Sequence, residues 1–453
     1  MLENLPDRWD VVKAGKLAAP GKHSCVGGPF GSNLVRQDYV EYPGVPVIRG
    51  GNLVLGSRVF QDFDFVFVSE EKAASLQQNT AHPGDLVFMQ RGASIGQVSL
   101  IPKNAKFSRY ILSQNLMKLT PDPQKADVKF LCYYFLSPLA QELIQRHSVG
   151  STIPGFNLTQ LRDFPVPLPP LNEQKAIAHI LGTLDDKIEL NRQMNQTLEE
   201  IARALFKSWF IDFDPVRAKM DGRQPAGMDA ETAALFPNEF EDSAIGKIPK
   251  GWVVGTVQDI GHVICGKTPS TQDAENYGAD IPFITIPDMH GKIFSIKTNK
   301  YLSSKGAKTQ ANKTLPPYSI CVSCIATPGL VVMTTHPSQT NQQINSVIPY
   351  EADTAFYYYF VLREVADEIK ARGSGGSVFA NLNKGHFSVL PVLLAPAELR
   401  ARYHLMVEPI FAKFLSNELE SFSLTKVRDE LLPKLLSGGI RIKDAKKVVE
   451  AVT

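Results

Sequence analysis

The sequence is short of cysteine, of net charge and of long apolar runs, and each shortage excludes a class of protein. Five cysteines in 453 residues are too few and too irregularly spaced for a disulfide framework, so a reducing cytoplasm is the expected location. No uninterrupted apolar stretch approaches the roughly 18 residues of a membrane span, and no membrane association is expected. Met1 to Asp7 carries acid and proline where a signal peptide places basic residues and an apolar run. A net charge of +2 is not the strongly basic profile of a stand-alone DNA-binding domain. A DNA reader with this balance must gather its basic side chains on one face or leave much of the phosphate contact to partner subunits.

Signatures of catalysis are also missing. There is no Walker A loop and no glycine-rich cofactor loop. Cys321-Val-Ser-Cys324 is half a zinc site with no second pair at ligand spacing, and buried thiols are the expectation there. Asp122 and Asp127 are too cramped for a nuclease carboxylate cluster. Gly92-Ala-Ser-Ile-Gly96 matches the nucleophile elbow around Ser94, but its flanks predict strand–turn–strand, whereas an elbow needs strand–turn–helix. Leu315 precedes Pro316-Pro-Tyr318 where an amino-methyltransferase motif needs a polar residue to hold the target amine. The chain is expected to be non-catalytic and to carry no cofactor or metal of its own.

What is present is a duplication. Leu5-Pro-Asp-Arg-Trp9 answers to Ile248-Pro-Lys-Gly-Trp252, and Val45-Pro-Val-Ile48 to Ile281-Pro-Phe-Ile284. Pro83–Gly96 aligns with Pro316–Gly329, Gln114-Asn-Leu116 with Gln342-Gln-Ile344, and Gly150-Ser151 with Gly376-Ser377. A period this long is a repeated domain, not a solenoid. Within residues 1–171, short β-prone runs at Val45–Ile48, Phe63–Val68, Asp85–Met89, Gln97–Ile101 and Leu112–Leu119, with a helical piece near Val128–Arg146, predict a compact α+β domain. Residues 248–396 repeat its Pro and Gly punctuation.

After each block comes a helical pattern. Residues 172–213 contain no proline, and Asn172 is placed to cap the start. Ile177, Leu181, Leu184, Ile188, Leu198, Leu205 and Trp209 form a four-three stripe interrupted by Asn191 and Asn195. Residues 397–436 repeat it with Ile410, Phe414, Leu424, Leu431 and Leu435, and with Asn417 in the polar slot. Apolar seams with a buried asparagine set register and partner in coiled coils, so the two helices are expected to pack against each other as an antiparallel coiled coil, each a rod of roughly 60 Å. Residues 214–247 read as a linker, and residues 437–453 as a helix stop followed by a basic, partner-facing or frayed end. Two homologous modules held apart by mated rods suit a two-fold ligand, and duplex DNA is the commonest one.

Phe164-Pro-Val-Pro-Leu-Pro-Pro-Leu-Asn-Glu-Gln-Lys-Ala-Ile-Ala178, Leu184-Asp-Asp-Lys-Ile-Glu-Leu-Asn-Arg192, the helix ending Leu205-Phe-Lys-Ser-Trp-Phe-Ile-Asp-Phe213, and Gly266-Lys-Thr-Pro-Ser270 together resemble the specificity subunit of type I restriction-modification enzymes, over essentially the whole chain. The resemblance implies two target recognition domains, 1–171 and 248–396, each reading half of a split site in double-stranded DNA. It implies two methyltransferase (modification) subunits docked on the long helices and motor-nuclease restriction subunits in the larger assembly. S-adenosylmethionine, ATP and Mg would belong to those partners. Ala397-Glu-Leu-Arg400 stands where the first copy has Asn172-Glu-Gln-Lys175, a departure at the second docking end.

Base edges are read by Arg, Asn, Gln and small hydroxyls, which concentrate in loops on a rigid scaffold. The candidates in the first block are Arg49, Asn52, Gln90, Arg91, Ser94, Arg109 and Tyr110. In the second block they are Lys267, Thr268, Ser270, Thr285, Ser323 and Thr327. Gln114 and Gln342, one per copy, are candidates for holding a turn. The rival from another class is a protein–protein scaffold with two binding modules on a coiled-coil strut, which the near-neutral charge favours.

Overall fold

A computed structural model of the protein describes residues 5–54, 58–92, 94–147, 155–325, 327–373 and 382–452. The chain forms two compact units, Met1–Leu190 with Glu420–Thr453, and Asn191–Leu419. The division falls inside the two long helices, so each unit owns one half of both.

In the first unit a four-stranded antiparallel sheet runs Cys25–Gly27, Leu116–Leu119, Leu86–Met89, Val98–Leu100 in spatial order. A five-stranded mixed sheet runs Tyr39–Val40, Val66–Val68, Val45–Ile48, Tyr110–Leu112, Thr80–Ala81, with Val47 and Ile111 in parallel register. Asp10–Lys13 pairs with Pro165–Leu168. Leu112–Leu119, expected as one strand, is therefore two strands in different sheets. Ser113 still donates to Ile48 O at 3.0 Å, but Leu116 N turns back onto Ser113 O at 3.1 Å, and the chain crosses over at Ser113-Gln114-Asn115. The helical piece is likewise two helices, Val128–Leu136 capped by Asp127, and Pro138–His147. Pro138 has no N–H to continue the first one.

The second unit repeats this plan. A five-stranded sheet runs Gly261–Cys265, Ile344–Pro349, Ile320–Ser323, Val331–Thr334, Phe294–Ser295. A three-stranded sheet runs Lys300–Leu302, Tyr277–Ile284, Gln339–Thr340, with the last pair parallel, and Val253–Thr256 pairs with Pro391–Leu394. Register corrects the sequence alignment by one residue. Leu116 pairs with Met89 and Ile344 with Ser323, so Met89 matches Ser323, Gln90 matches Cys324 and Arg91 matches Ile325. Gly96 still matches Gly329, since both donate back to the Met89 or Ser323 carbonyl; the second turn is one residue shorter. The expected recurrence of Gly150-Ser151 at Gly376-Ser377 lies outside the described residues. A buried ion pair, Lys118 Nζ to Asp85 Oδ2 at 2.8 Å, is replaced in the second unit by Ser346 and Ser319. Losing both charges together avoids an uncompensated buried ion.

The long helices are Leu171–Phe210 and Ala397–Leu436, 40 residues each. The first begins one residue before Asn172, because the Pro170 carbonyl accepts from Glu173 N and Gln174 N at 2.8 and 3.0 Å and so opens the first turn. It stops before Phe213, which is left-handed (φ 56°) and followed by a helix with Pro215 in its first turn. The second runs through Pro409 and Pro433, each of which removes one helical hydrogen bond. The helices are antiparallel. In the first unit Lys187 meets Glu420 and Asp185 meets Arg428; in the second, Asn195 Nδ2 donates to Phe414 O at 3.1 Å and Tyr403 OH to Ala202 O at 2.9 Å. The polar slots face each other as the spacing predicts: Asn417 Nδ2 donates to Asn195 Oδ1 at 2.8 Å, and Asn191 Nδ2 lies 3.4 Å from Asn417 O.

The apolar stripe does more than join the two helices. Leu181, Leu184, Leu424, Leu431 and Leu435 are buried in the first unit's core with Phe130 to Phe135, and Ile188 packs against it. Trp209 and Phe414 are buried in the second unit's core with Phe206, Tyr357 and Tyr403, and Leu198, Leu205 and Ile410 pack against it. Full burial of such a side chain stabilises by roughly 1.5–3 kcal/mol. The helices are thus built into the domain cores and are not a free strut. Two further readings are corrected. Residues 214–247 are not a loose linker but carry the helices Asp214–Met220 and Ala230–Ala234 and a hairpin strand Phe240–Ser243, with Val216 and Phe236 buried in the core. The tail does not fray: after Gly438 (φ 70°) the helix Ile442–Glu450 buries Ala445 and Val449 in the first unit's core.

Candidate nucleic-acid interface

In each unit the two main sheets meet where one strand crosses between them, and the loops at the strand ends converge there. In the first unit these are Gly28 to Leu34, Arg49 to Asn52, Gln90-Arg91 and Ser113 to Asn115. Gly28 is required because a Cβ would lie 1.9 Å from Ser113 O; its counterpart Gly266 would place one 2.1 Å from Asn341 O. Gln114 Nε2 donates to Gly31 O at 2.6 Å and Leu34 O at 2.8 Å, tying two of the loops together. In the second unit Thr268 Oγ1 donates to Gln342 Oε1 at 2.6 Å. The two glutamines hold turns, as their recurrence suggests.

In the first unit the loops enclose an open cleft of about 570 Å³, lined by Arg36, Arg49 and Arg91 together with Tyr39, Ser113, Gln114 and Asn115. Arg36, Arg49, Arg91, Gln114 and Asn115 are exposed. Three guanidinium groups and two amides on a concave surface favour a polyanion that also presents hydrogen-bonding edges. Sequence reasoning found Arg49 and Arg91 here. Arg36, Tyr39, Ser113 and Asn115 join them as cleft-lining residues only in the folded chain, where the loops at the strand ends come together.

Several candidates are committed elsewhere. Asn52 is buried; its Oδ1 accepts from Arg49 N at 2.8 Å and its Nδ2 donates to Gln61 O and Phe63 O, both at 2.9 Å. It shapes the turn that presents Arg49 and has no exposed edge for a base. Asp288 does the same for Thr285, accepting from its N at 2.9 Å and its Oγ1 at 2.7 Å. Tyr110 is buried in an aromatic cluster, donates to Asp62 Oδ1 at 2.7 Å, and its phenol is pushed up by burial and that hydrogen bond. Ser323 is buried, donating to Thr327 O at 2.7 Å and accepting from Leu330 N at 2.8 Å. Of the candidates, Asn52, Tyr110 and Ser323 are thereby corrected to scaffold positions. Arg109 pairs with Glu70 outside the cleft lining. Gln90 is half-buried, its backbone bonded to Asn115 O at 2.7 Å and to Phe156 N at 2.9 Å. Ser94 is half-buried in the turn between antiparallel strands Leu86–Met89 and Val98–Leu100, a geometry unlike an elbow. Lys267, Ser270 and Thr327 are exposed, and Thr268 and Thr285 half-exposed, in the second unit's loops.

Cys321 and Cys324 are buried free thiols, with pKa values pushed up by burial to about 12 and about 11. Among the described residues no group of three or more His, Cys, Asp and Glu side chains is placed to hold a metal ion, and no helix is long and apolar enough to cross a membrane.

Comparison with known proteins agrees with this architecture. The family model described as "Type I restriction modification DNA specificity domain" matches residues 31–200 and again 249–399, once per repeat. The chain is 36% identical to the type I restriction enzyme HindI specificity subunit of Haemophilus influenzae, over 91% of this chain and 98% of that one. It is 24% identical to the MjaIX specificity subunit of Methanocaldococcus jannaschii, over 97% and 95% of the two chains. The fold is similar to the crystal structure of a type I restriction-modification S subunit from M. genitalium, with a TM-score of 0.58 at 17% identity, covering 95% and 96%. With a doubled recognition domain, a paired-helix core and these relatives, the chain belongs to the family of type I restriction-modification DNA specificity subunits.

Proposed function

We propose that this chain confers DNA sequence specificity on a type I restriction-modification complex, its first cleft and the matching loops of the second domain each reading one half of a split, asymmetric site. The observation that carries this is the same loop scaffold, built on Gly28 and Gly266, presenting different side chains at matching positions. Arg49 is answered by Thr285 and Arg91 by Ile325. A conserved frame with altered reading groups is what two unlike half-sites require. The long helices dock two methyltransferase subunits and set the gap between half-sites, since contacts on one face of a duplex recur about every 34 Å. Restriction subunits join the larger complex. The chain itself catalyses nothing; S-adenosylmethionine, ATP and Mg serve its partners in the cytoplasm.

The test is to reconstitute the chain with its methyltransferase subunits and map the methylated sites across a genome. A split motif is expected, and duplex binding by the complex should weaken steeply and linearly in log–log form with salt. Absence of duplex binding would favour a protein–protein scaffold. Leu190→Asp with Ile201→Asp, at exposed apolar side chains of the first long helix, should release the methyltransferase subunits while both domains remain folded; unchanged co-purification would count against docking on that face.

A further inference from the structure

The two recognition domains differ in one residue type more than the repeat would suggest. Residues 1–171 hold eight arginines and residues 248–396 only two, Arg363 and Arg372. Arg363 is bonded to Glu199 and Tyr359, and Arg372 belongs to the same helix, Ala355–Gly373. In the first cleft Arg49 gives one nitrogen to Asp64 O at 3.2 Å. Arg36 and Arg91 make no side-chain hydrogen bond or ion pair among the described residues. An exposed guanidinium at the wall of a cleft, with its donors unspent, is available to a ligand.

Arg91 differs from Arg36 in how its backbone is held. The preceding residue is clamped on both sides, Gln90 N to Asn115 O at 2.7 Å and Phe156 N to Gln90 O at 2.9 Å, and Arg91 itself bridges Gly155. The second domain keeps the clamp, Cys324 N to Gln343 O at 2.9 Å and Leu382 N to Cys324 O at 3.3 Å, but presents Ile325. The scaffold fixes where a side chain emerges, and the first domain fills that place with a planar two-donor fork. Guanine is the base whose major-groove edge carries two adjacent acceptors, O6 and N7, for such a fork.

We propose that the half-site read by the first domain contains a guanine held through O6 and N7 by Arg91, and that the second domain reads its half-site with no arginine at the matching position. The inference rests on the DNA-reading function proposed above and names the chemistry of that reading.

The experiment uses the full complex with its methyltransferase subunits and a duplex carrying its mapped site, with 7-deazaguanine placed at one guanine at a time to delete N7. The unaltered complex should lose about ten-fold in affinity at one guanine of the first half-site. Arg91→Ala should bind the natural site more weakly yet be indifferent to 7-deazaguanine at that position. Its discrimination in the second half-site should be intact, which also shows that the variant is folded. If no guanine in the first half-site is sensitive, the proposal is overturned. It is equally overturned if Arg91→Ala weakens every duplex alike with a shallower salt slope, the mark of a phosphate contact. If the unaltered complex binds no duplex at all, it is the DNA-reading function that fails.

Discussion

Asp185 offers the sharpest test of how the first recognition domain is attached to the helices. It sits on the first long helix with its side chain 11% exposed, and its two oxygens serve three other segments. Oδ2 accepts from Arg58 Nε at 2.9 Å and from Tyr133 OH at 2.6 Å, while Oδ1 accepts from Arg428 Nη1, on the second long helix, at 2.8 Å. Arg58 also lies over the Tyr133 ring. Removing one member of a buried ion pair costs about 3–5 kcal/mol, because the remaining charges stay buried without compensation. Arg58 and Arg428 are 18% and 24% exposed and keep Asp186 and Asp429 as second partners, which points to the low end, about 3 kcal/mol. For a unit of this size that is a melting shift of roughly 6–12 °C, readable by calorimetry on Asp185→Ala. A double-mutant cycle with Arg428→Ala should give a coupling of about 1 kcal/mol or more. Replacing the carboxylate and both arginines by Leu, Met and Met should recover most of the stability, since an apolar cluster leaves no charge behind. A shift below about 2 °C for Asp185→Ala, or additive single changes, would refute the claim that this carboxylate ties the domain to both helices.

Two further outcomes are expected. Gly28→Ala should force the Gly28 and Ser113 backbones apart, since the added carbon would lie 1.9 Å from a carbonyl oxygen; methylation mapping should show relaxed reading of the first half-site with the second intact, and an unchanged motif would count against the cleft as the reading site. His404 is buried against Phe356, with ring centroids 4.8 Å apart, and burial holds its pKa below the ordinary value despite the opposing pull of Glu408 and Asp353. The unfolded imidazole then takes up a proton near pH 6.5 before the folded one does, so stability is fully present above about pH 6.5 and is lost as pH falls toward the folded pKa. Urea denaturation at about pH 7.5 and about pH 5.5 should show a smaller acid loss in His404→Phe than in the parent, and equal losses would refute this.

What could be read from the sequence was whatever is local and periodic. The four-three stripe predicted two long helices because a helix returns the same face every 3.6 residues. The asparagines at 191, 195 and 417 stood out because a polar residue on an apolar stripe is visible without knowing its partner. The duplication was legible through its Pro and Gly punctuation, which the backbone demands at each turn. Ser323, by contrast, was matched to Gln90 because a one-residue shortening inside a turn leaves the flanking residues alike, and only strand register resolves it. Asn52 and Tyr110 have the chemistry of base readers, yet burial spends their polar atoms on other parts of the chain, among them Gln61, 9 residues from Asn52, and Asp62, 48 residues from Tyr110.

The amino-acid order by itself determined the repeat, the two helices and their polar slots, because each landmark is a short local pattern that can be recognised without knowing what it meets in space. Tertiary structure alone decided that Arg36, Arg49, Arg91 and Asn115 share one cleft, that Asp185 joins three segments, and that the stretch after the first helix and the terminal tail are packed into the cores. Those outcomes depend on which distant strands and helices meet. A strand crossing between two sheets brings together residues whose spacing along the chain carries no trace of that meeting.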